Sequence, residues 1–389
     1  MPASSAGVTT PDPAAPTTPV LPPAPLGVVT PTIPPGVVTP AILLDLAIVD
    51  SNIARMQDLA LTAGVALRPH VKTHKSLAIG RRQIEAGAAG ITAGTMGEVE
   101  AFAAAGFDDI FFAYTVFATR ARVERLRRVR EVARLRVGLD SRPAAEALAA
   151  GFAGLEPLEV VIEVDCGAHR CGVPPEAAGE VGAYARSLGL LPVGAFTYPG
   201  HGDLDRDAPA RASGDEIAAL TTAADALRAE GIEATVLSGG STPTSALSAR
   251  RPLTEIRPGE YVYNDLGKLR VGACGPADLA CFVAATVVSD AVPGQVIVDV
   301  GTKALGREGS VERGYGTAPT VAGAVLTKLN EYHGYLAIPT GVRRPAVGDV
   351  LAIAPNHVCP VVNLFDDMLV HAAGRPVGRW PIDARGHLS

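Results

Sequence analysis

LEVVIEVDCGAHRCG, residues 158–172, and LPVGAFTYPGHG, residues 191–202, decide the fold. Each opens on an apolar run, the first rich in β-branched residues, as a strand covered on both faces does. Each then ends in Gly, His, Cys or Arg, residues that bring chemistry more than packing. The same arrangement recurs outward in both directions. Upstream stand VALRPHVK (65–72), GITA (90–93), DIFFAY (109–114) and LRVGLD (135–140); downstream stand EATVLSGG (233–240) and LTEIRPGEYVYND (253–265). Between these runs, stretches such as MGEVEAFAAAG (96–106), PEAAGEVGAYARSLG (175–189) and SGDEIAALTTAADALRAEG (213–231) carry a period near 3.6 and end in Gly, as crossover helices do. Eight strands alternating with helices predict an α/β fold built on a closed (β/α)8 barrel. An open doubly wound sheet would place its Gly-rich loop after the first strand, and here the Gly cluster follows the seventh.

Beyond Gly272 the texture changes. FVAATVVS (282–289), QVIVDVG (295–301), TVAGAVLTK (320–328), GDVLAIA (348–354) and DMLVHAAG (367–374) are short β-branched runs between Pro, Gly and Asp turns. They predict an all-β domain over 273–389, with the barrel over 37–272. The apolar run near 41–47 precedes the first barrel helix and is available to the β domain, which would make that domain discontinuous. Residues 1–36 are dominated by Pro, Ala, Thr and Val without period, and read as a disordered or extended tail.

A net charge of −6 excludes the broad basic face that nucleic acid needs, so a small solute is the expected partner. Five cysteines at irregular spacing do not form a disulfide framework and fit a reducing cytoplasm. No run reaches the roughly 18 apolar residues of a membrane span, and the N-terminus lacks a secretory pattern. A cytoplasmic protein without membrane or nucleic-acid partners is expected.

Barrel chemistry gathers at the C-terminal strand ends. There the sequence offers RPHVKTHKS (68–76), DCGAHRCG (165–172), TYPGHGD (197–203), SGGSTPT (238–244) and YVYND (261–265). SGGSTPT supplies backbone N–H groups and hydroxyls just before a helix, a phosphate cradle at the place where barrels commonly carry one. Taken alone, it is equally a plain turn with a helix cap. Lys72, beside Pro69 and Val71, sits where desolvation favours a free amine, although a single strand-end lysine is more often a solvated surface group. A lysine and a phosphate cradle on one rim together imply pyridoxal 5′-phosphate, PLP. His70, His74 and His201 stand near the same rim as possible proton relays, His201 the best of them. In PNHVCP (355–360), His357 and Cys359 are two apart; in an extended segment both point to one face, a pairing that favours Zn2+.

The ordered set RPHVKTHK, DCGAHRCGV, YPGHG, SGGSTPT, EIRPGEYVYND and PNHVCPVVNLFD resembles the fold-type III PLP enzymes of the D-threonine aldolase and eukaryotic-type D-serine dehydratase group. That group is related through its barrel to alanine racemase. The resemblance covers residues 39–385. It implies that Lys72 carries PLP as a Schiff base, that Arg170 contacts the ring oxygen, and that Tyr198 faces the ring. It further implies that Gly240, Ser241 and Thr242 hold the phosphate. Tyr263 is expected among the cofactor contacts, and His201, the best of the rim histidines, among the catalytic groups. His357 and Cys359 fall at the family's metal site, for Zn2+ or alternatively Mn2+. The His-x-Cys form looks like the dehydratase branch, whereas aldolases typically show Asp in the second place. One departure stands at 331–334, EYHG, where Tyr332 replaces a common acidic residue. The expected activity is therefore a lyase of D-3-hydroxy amino acids, D-serine dehydratase or a close relative. The alternatives are a D-threonine aldolase, or a racemase or non-catalytic PLP carrier. The resemblance also implies a homodimer.

Overall fold

The computed structural model describes residues 27–29 and 31–389. The chain enters through β1 (Ala41–Asp45) and α1 (Leu46–Ala63). Asp45 starts this helix by accepting the N–H groups of Ala47 and Ile48, and Gly64 ends it at φ +67°, a left-handed conformation that suits glycine. Val49, Ile53 and Ala60 lie on its buried face.

Eight parallel strands follow: β2 (Ala66–Leu67), β3 (Ile91–Ala93), β4 (Asp109–Thr115), β5 (Arg134–Leu139), β6 (Glu159–Glu163), β7 (Leu191–Phe196), β8 (Val236–Gly239) and β9 (Glu255–Ile256). Their order is β2-β9-β8-β7-β6-β5-β4-β3, and a parallel bridge between His70 and Thr92 joins the two ends into a barrel. The outer helices are α2 (Leu77–Glu85), α3 (Met96–Ala104), α4 (Arg120–Arg130), α5 (Arg142–Phe152), α6 (Ala178–Ser187), α7 (Ala208–Ala229), α8 (Ser245–Ser248) and α9 (Leu266–Arg270). All eight apolar runs become barrel strands because each can bury both faces, with Ile91, Ile110, Val137, Val160 and Ile162 fully enclosed. The first and last strands are much shorter than their runs, two residues each.

The second sheet contains β10 (Cys281–Ser289), β11 (Gln295–Val298), β12 (Val325–Leu329), β13 (Gly334–Ala337), β14 (Val350–Ile353), β15 (Asp367–Ala372) and β16 (Arg375–Pro381), with the short helices α10 (Thr302–Leu305) and α11 (Val358–Val362). β1 lies inside this sheet, antiparallel to β10 and parallel to β15, with Ala41 opposite Ala284 and Asp45 opposite His371. The first strand among the described residues thus belongs with the last ones.

Of the segment expected to be a loose tail, residues 1–26 and 30 lie outside the described residues. The rest departs from that expectation. Val28 and Ile33, with Val37 just beyond the segment, pack half-buried against the cluster of Leu43, Phe282 and Ala284 on the β sheet. Their apolar side chains find a surface that a reading for periodicity does not reveal.

At the other end the chain returns to the barrel. Asp383 Oδ2 accepts the N–H of Leu77 at 2.8 Å, Ala384 donates its N–H to the Lys75 carbonyl at 2.9 Å, and Thr95 donates to the His387 carbonyl at 2.7 Å. This strap braces the loop that follows Lys72. Among the described residues no helix is long and apolar enough to cross a membrane.

Candidate active site

A cavity of about 390 Å³ opens at the C-terminal ends of the barrel strands, within the size range of ligand sites. Lys72, Arg170, Tyr198, Gly240, Ser241 and Thr242 all line it. Lys72 Nζ stands 5.3 Å from the centre of the Tyr198 ring, and the Arg170 guanidinium stands 4.8 Å from the same ring. Six residues expected to serve one cofactor are brought together from the ends of four strands.

Gly240 has φ +71°, and a Cβ there would come within 2.9 Å of the Ile256 side chain, so this turn requires glycine. Its N–H donates to buried Glu216 at 2.8 Å, and the Ser241 N–H donates to Thr244 Oγ1 at 2.9 Å. These two groups shape the turn. The Thr242 hydroxyl accepts the N–H of Tyr261 at 3.1 Å, which leaves its own proton to donate into the cavity. A lysine at one wall and a glycine-made turn with a hydroxyl donor at another fit PLP.

Several lining residues escape a reading of the sequence. Glu163, buried at the end of β6, accepts from Thr115 and from Cys171 (3.0 Å) and lies 3.5 Å from Arg170. Arg257 is buried, donates to the Thr197 carbonyl at 2.7 Å and to Ser238, and packs on Phe111 and Phe196. Both are charged residues inside apolar runs, VVIEVD and EIRPG, and that is the signal that marks them.

The three histidines separate. His70 lines the cavity, its Nδ1 accepting the Lys72 N–H at 3.3 Å. Burial, with Lys72 and Arg257 nearby, holds it neutral, well below the ordinary imidazole range. His74 does not reach the rim. It is fully buried against Gln83 at 3.2 Å and edge-on to Phe102, and burial lowers its pKa to about 3. His201 sits just off the cavity wall, because the turn at Gly200–Asp203 aims its Nε2 at Asp215 of α7, 3.0 Å away. Tyr263 is also elsewhere: fully buried in the core of the β sheet, its hydroxyl 3.3 Å from Met368 Sδ. The run YVYND is not a strand; a helical turn at Glu260–Val262 breaks the alternation and sends Tyr263 inward.

That same turn puts Glu260 into the cavity wall, beside the metal pair. Glu260, His357 and Cys359 offer donor atoms within 4.8 Å of one another. The segment is not extended throughout: His357 has β geometry, whereas Cys359 is in the first turn of α11. His357 Nε2 and Glu260 Oε1 are 3.0 Å apart but without the alignment of a hydrogen bond, and Glu260 Oε1 is otherwise unpartnered. Two donors aimed past each other at a common point suit a cation. Electrostatics agree. Burial opposes charge on His357, yet Cys359 and Glu260 outweigh it and raise its pKa to about 11. Burial and the Glu260 charge push the Cys359 thiol up. A carboxylate, an imidazole and a thiolate together fit a divalent metal. Cys359 Sγ also lies 3.2 Å from Thr73 Oγ1, next to Lys72. Tyr332 stays on the surface, 61 % exposed, with Lys303 over its ring.

A racemase-type barrel with a rim lysine, a phosphate turn and a β domain bearing metal donors defines a fold-type III PLP-dependent enzyme. The chain belongs to that family: residues 44–266 match the domain described as "Alanine racemase, N-terminal domain", and residues 280–371 match the "Putative serine dehydratase domain". D-threo-3-hydroxyaspartate dehydratase of Delftia sp. (strain HT23) is 38 % identical over 87 % of this chain and 96 % of its own. D-threonine aldolase of Arthrobacter sp. is 33 % identical over 89 % of this chain and 92 % of its own. The solved structure of the Delftia enzyme superposes with a TM-score of 0.81 at 36 % identity, covering 89 % of this chain and 97 % of that one. These relatives are lyases of D-hydroxy amino acids.

Proposed function

We propose that this chain is a metal-assisted, PLP-dependent dehydratase that removes water from a D-3-hydroxy amino acid and yields a 2-oxo acid and ammonia. One placement carries the reading: Glu260 lines the cofactor cavity and is also one of three donors converging on a metal position. Lys72 and the metal donors therefore face one reaction space. Bound there, PLP supplies an electron sink at Cα and a divalent cation supplies a Lewis acid for the departing oxygen.

The chain's own groups then have definite tasks. Lys72 Nζ, poised over Tyr198, would hold the cofactor covalently and, as a free amine, would serve as the base for the Cα proton. Gly240, Ser241 and Thr242 anchor the phosphate, and Arg170 and Tyr198 fix the ring. His70, held neutral, borders the amine without adding a second charge. His357, Cys359 and Glu260 would hold the metal, which would supply the Lewis acid for the 3-hydroxyl. Cys359 supports elimination and Zn2+, because a thiolate selects a softer ion than the carboxylate of the aldolase pattern. Solved structures of D-threo-3-hydroxyaspartate dehydratase include a His-to-Ala variant and a Cys-to-Ala variant "in the metal-free form", at positions two residues apart, the spacing of His357 and Cys359.

The deciding experiment incubates the protein with PLP, Zn2+ or Mn2+, and D-serine, D-threonine or D-threo-3-hydroxyaspartate, and identifies products. A 2-oxo acid with ammonia is expected, abolished by EDTA while the cofactor's visible absorption persists. Glycine with an aldehyde would make the chain an aldolase, and full turnover without metal would overturn the reading.

A further inference from the structure

The metal donors are gripped by one five-residue helix of the barrel. We infer that Asp265 is the positioning residue of the metal centre, holding the His357–Cys359 loop in its ligating shape before any ion arrives; the inference rests on the metal-binding reading above.

Asp265 is 1 % exposed and stands at the start of α9. One carboxylate oxygen accepts the N–H of Lys268 at 2.9 Å. The other accepts the N–H of Val358, also at 2.9 Å, and Val358 is the residue between the two metal donors. Three more bonds cross between the same segments: Leu266 N–H to the Pro355 carbonyl at 3.1 Å, Gly267 N–H to the Asn356 carbonyl at 3.0 Å, and Arg270 to Asn356 Oδ1 at 3.0 Å. The helix governs the third donor as well. Lys268 Nζ lies 3.1 Å from Glu260 Oε2 and 2.5 Å from Asp203, which leaves Glu260 Oε1 facing His357. Both arms of the metal site thus hang on residues 265–268, although they arise from different sheets.

The aspartate is chemically specific. Both oxygens are spent on backbone N–H groups, and an amide offers one acceptor where two are needed. A plain helix cap would account for the first bond and would affect stability alone. The second bond reaches past the helix to the ligand loop, and outer partners of this kind set metal affinity by roughly 10–100-fold.

The test uses the full-length, PLP-loaded protein stripped of metal and titrated with Zn2+ against a chromophoric chelator. Asp265→Asn should weaken Zn2+ binding by about 10–100-fold while the cofactor's visible absorption stays unchanged. Should that variant not fold, Gly267→Ala serves instead. A Cβ there would sit 3.0 Å from both the Asn356 carbonyl and Asp265 Oδ1, so it forces the same two segments apart; the same direction of change is expected. Equal Zn2+ affinity in wild type and variants, with only thermal stability lowered, would reduce Asp265 to a cap and overturn the inference. Failure of the wild type to bind Zn2+ would instead overturn the metal reading from which it starts.

Discussion

Replacing Lys75 by methionine separates the two lysines that the stretch RPHVKTHK places three residues apart. Lys75 Nζ lies 2.5 Å from Glu98 Oε1, with side chains 6 % and 1 % exposed, so the pair is cut off from water. Glu98 spends its other oxygen on the N–H of Gly94, a cavity-lining residue, at 2.8 Å. Lys75→Met leaves that carboxylate buried and unpaired, which costs about 3–5 kcal/mol. Lys75 has φ +50°, but methionine would inherit the same backbone, so strain does not confuse the comparison. The double variant Lys75→Met/Glu98→Gln removes the stranded charge and keeps an acceptor for Gly94, and should recover most of the loss. Urea unfolding followed by circular dichroism reads these differences, and the visible absorption of bound PLP is recorded on the same samples. Lys75→Met should keep that absorption and lose stability; Lys72→Ala should do the reverse. Borohydride trapping of PLP on Lys75, or loss of the absorption in a folded Lys75→Met protein, would refute the assignment of the cofactor to Lys72.

Deletion of residues 2–26 should leave melting temperature and turnover unchanged. Deletion of residues 2–37 removes Val28, Ile33 and Val37 from the sheet and should lower the melting temperature by several degrees; equal behaviour of the two truncations would show that the packing is energetically idle. His371 is buried with neither ring nitrogen hydrogen-bonded, and burial lowers its pKa although Asp45 lies 3.7 Å away. A depressed histidine contributes stability above its unfolded value of about 6.5 and loses it as the pH falls toward the folded value. The stability of His371→Leu relative to wild type should therefore improve as the pH drops from 8 to 5, and a difference independent of pH would disprove the point.

The barrel was legible because burial on both faces makes each of its strands an apolar run, a pattern independent of long-range context. The cavity wall was legible for a related reason: residues at the C-terminal strand ends face one space once the barrel closes, as Lys72, Arg170, Tyr198 and Thr242 do. Reading failed where the chain left regular structure. A helical turn in place of a strand extension sends Glu260 into the cleft and Tyr263 into the core, the reverse of what alternation suggests for the latter. Another turn draws His201 to Asp215. The packing of Val28 and Ile33 depends on a surface formed largely by residues far along the chain, and no local pattern announces it.

β1, translated before the whole barrel, sits between β10 and β15, both translated after it. During synthesis AILLD, four of its five residues destined for full burial, leaves the ribosome with no native neighbour to pair with. A strand of that composition is sticky while it waits. The barrel can close behind it, but the β sheet cannot complete itself until the C-terminal strands emerge and thread around a segment made long before. A gene cut at the visible boundary near residue 272 would therefore yield one half carrying an orphan strand and another missing its central one, so neither half is an autonomous folding unit.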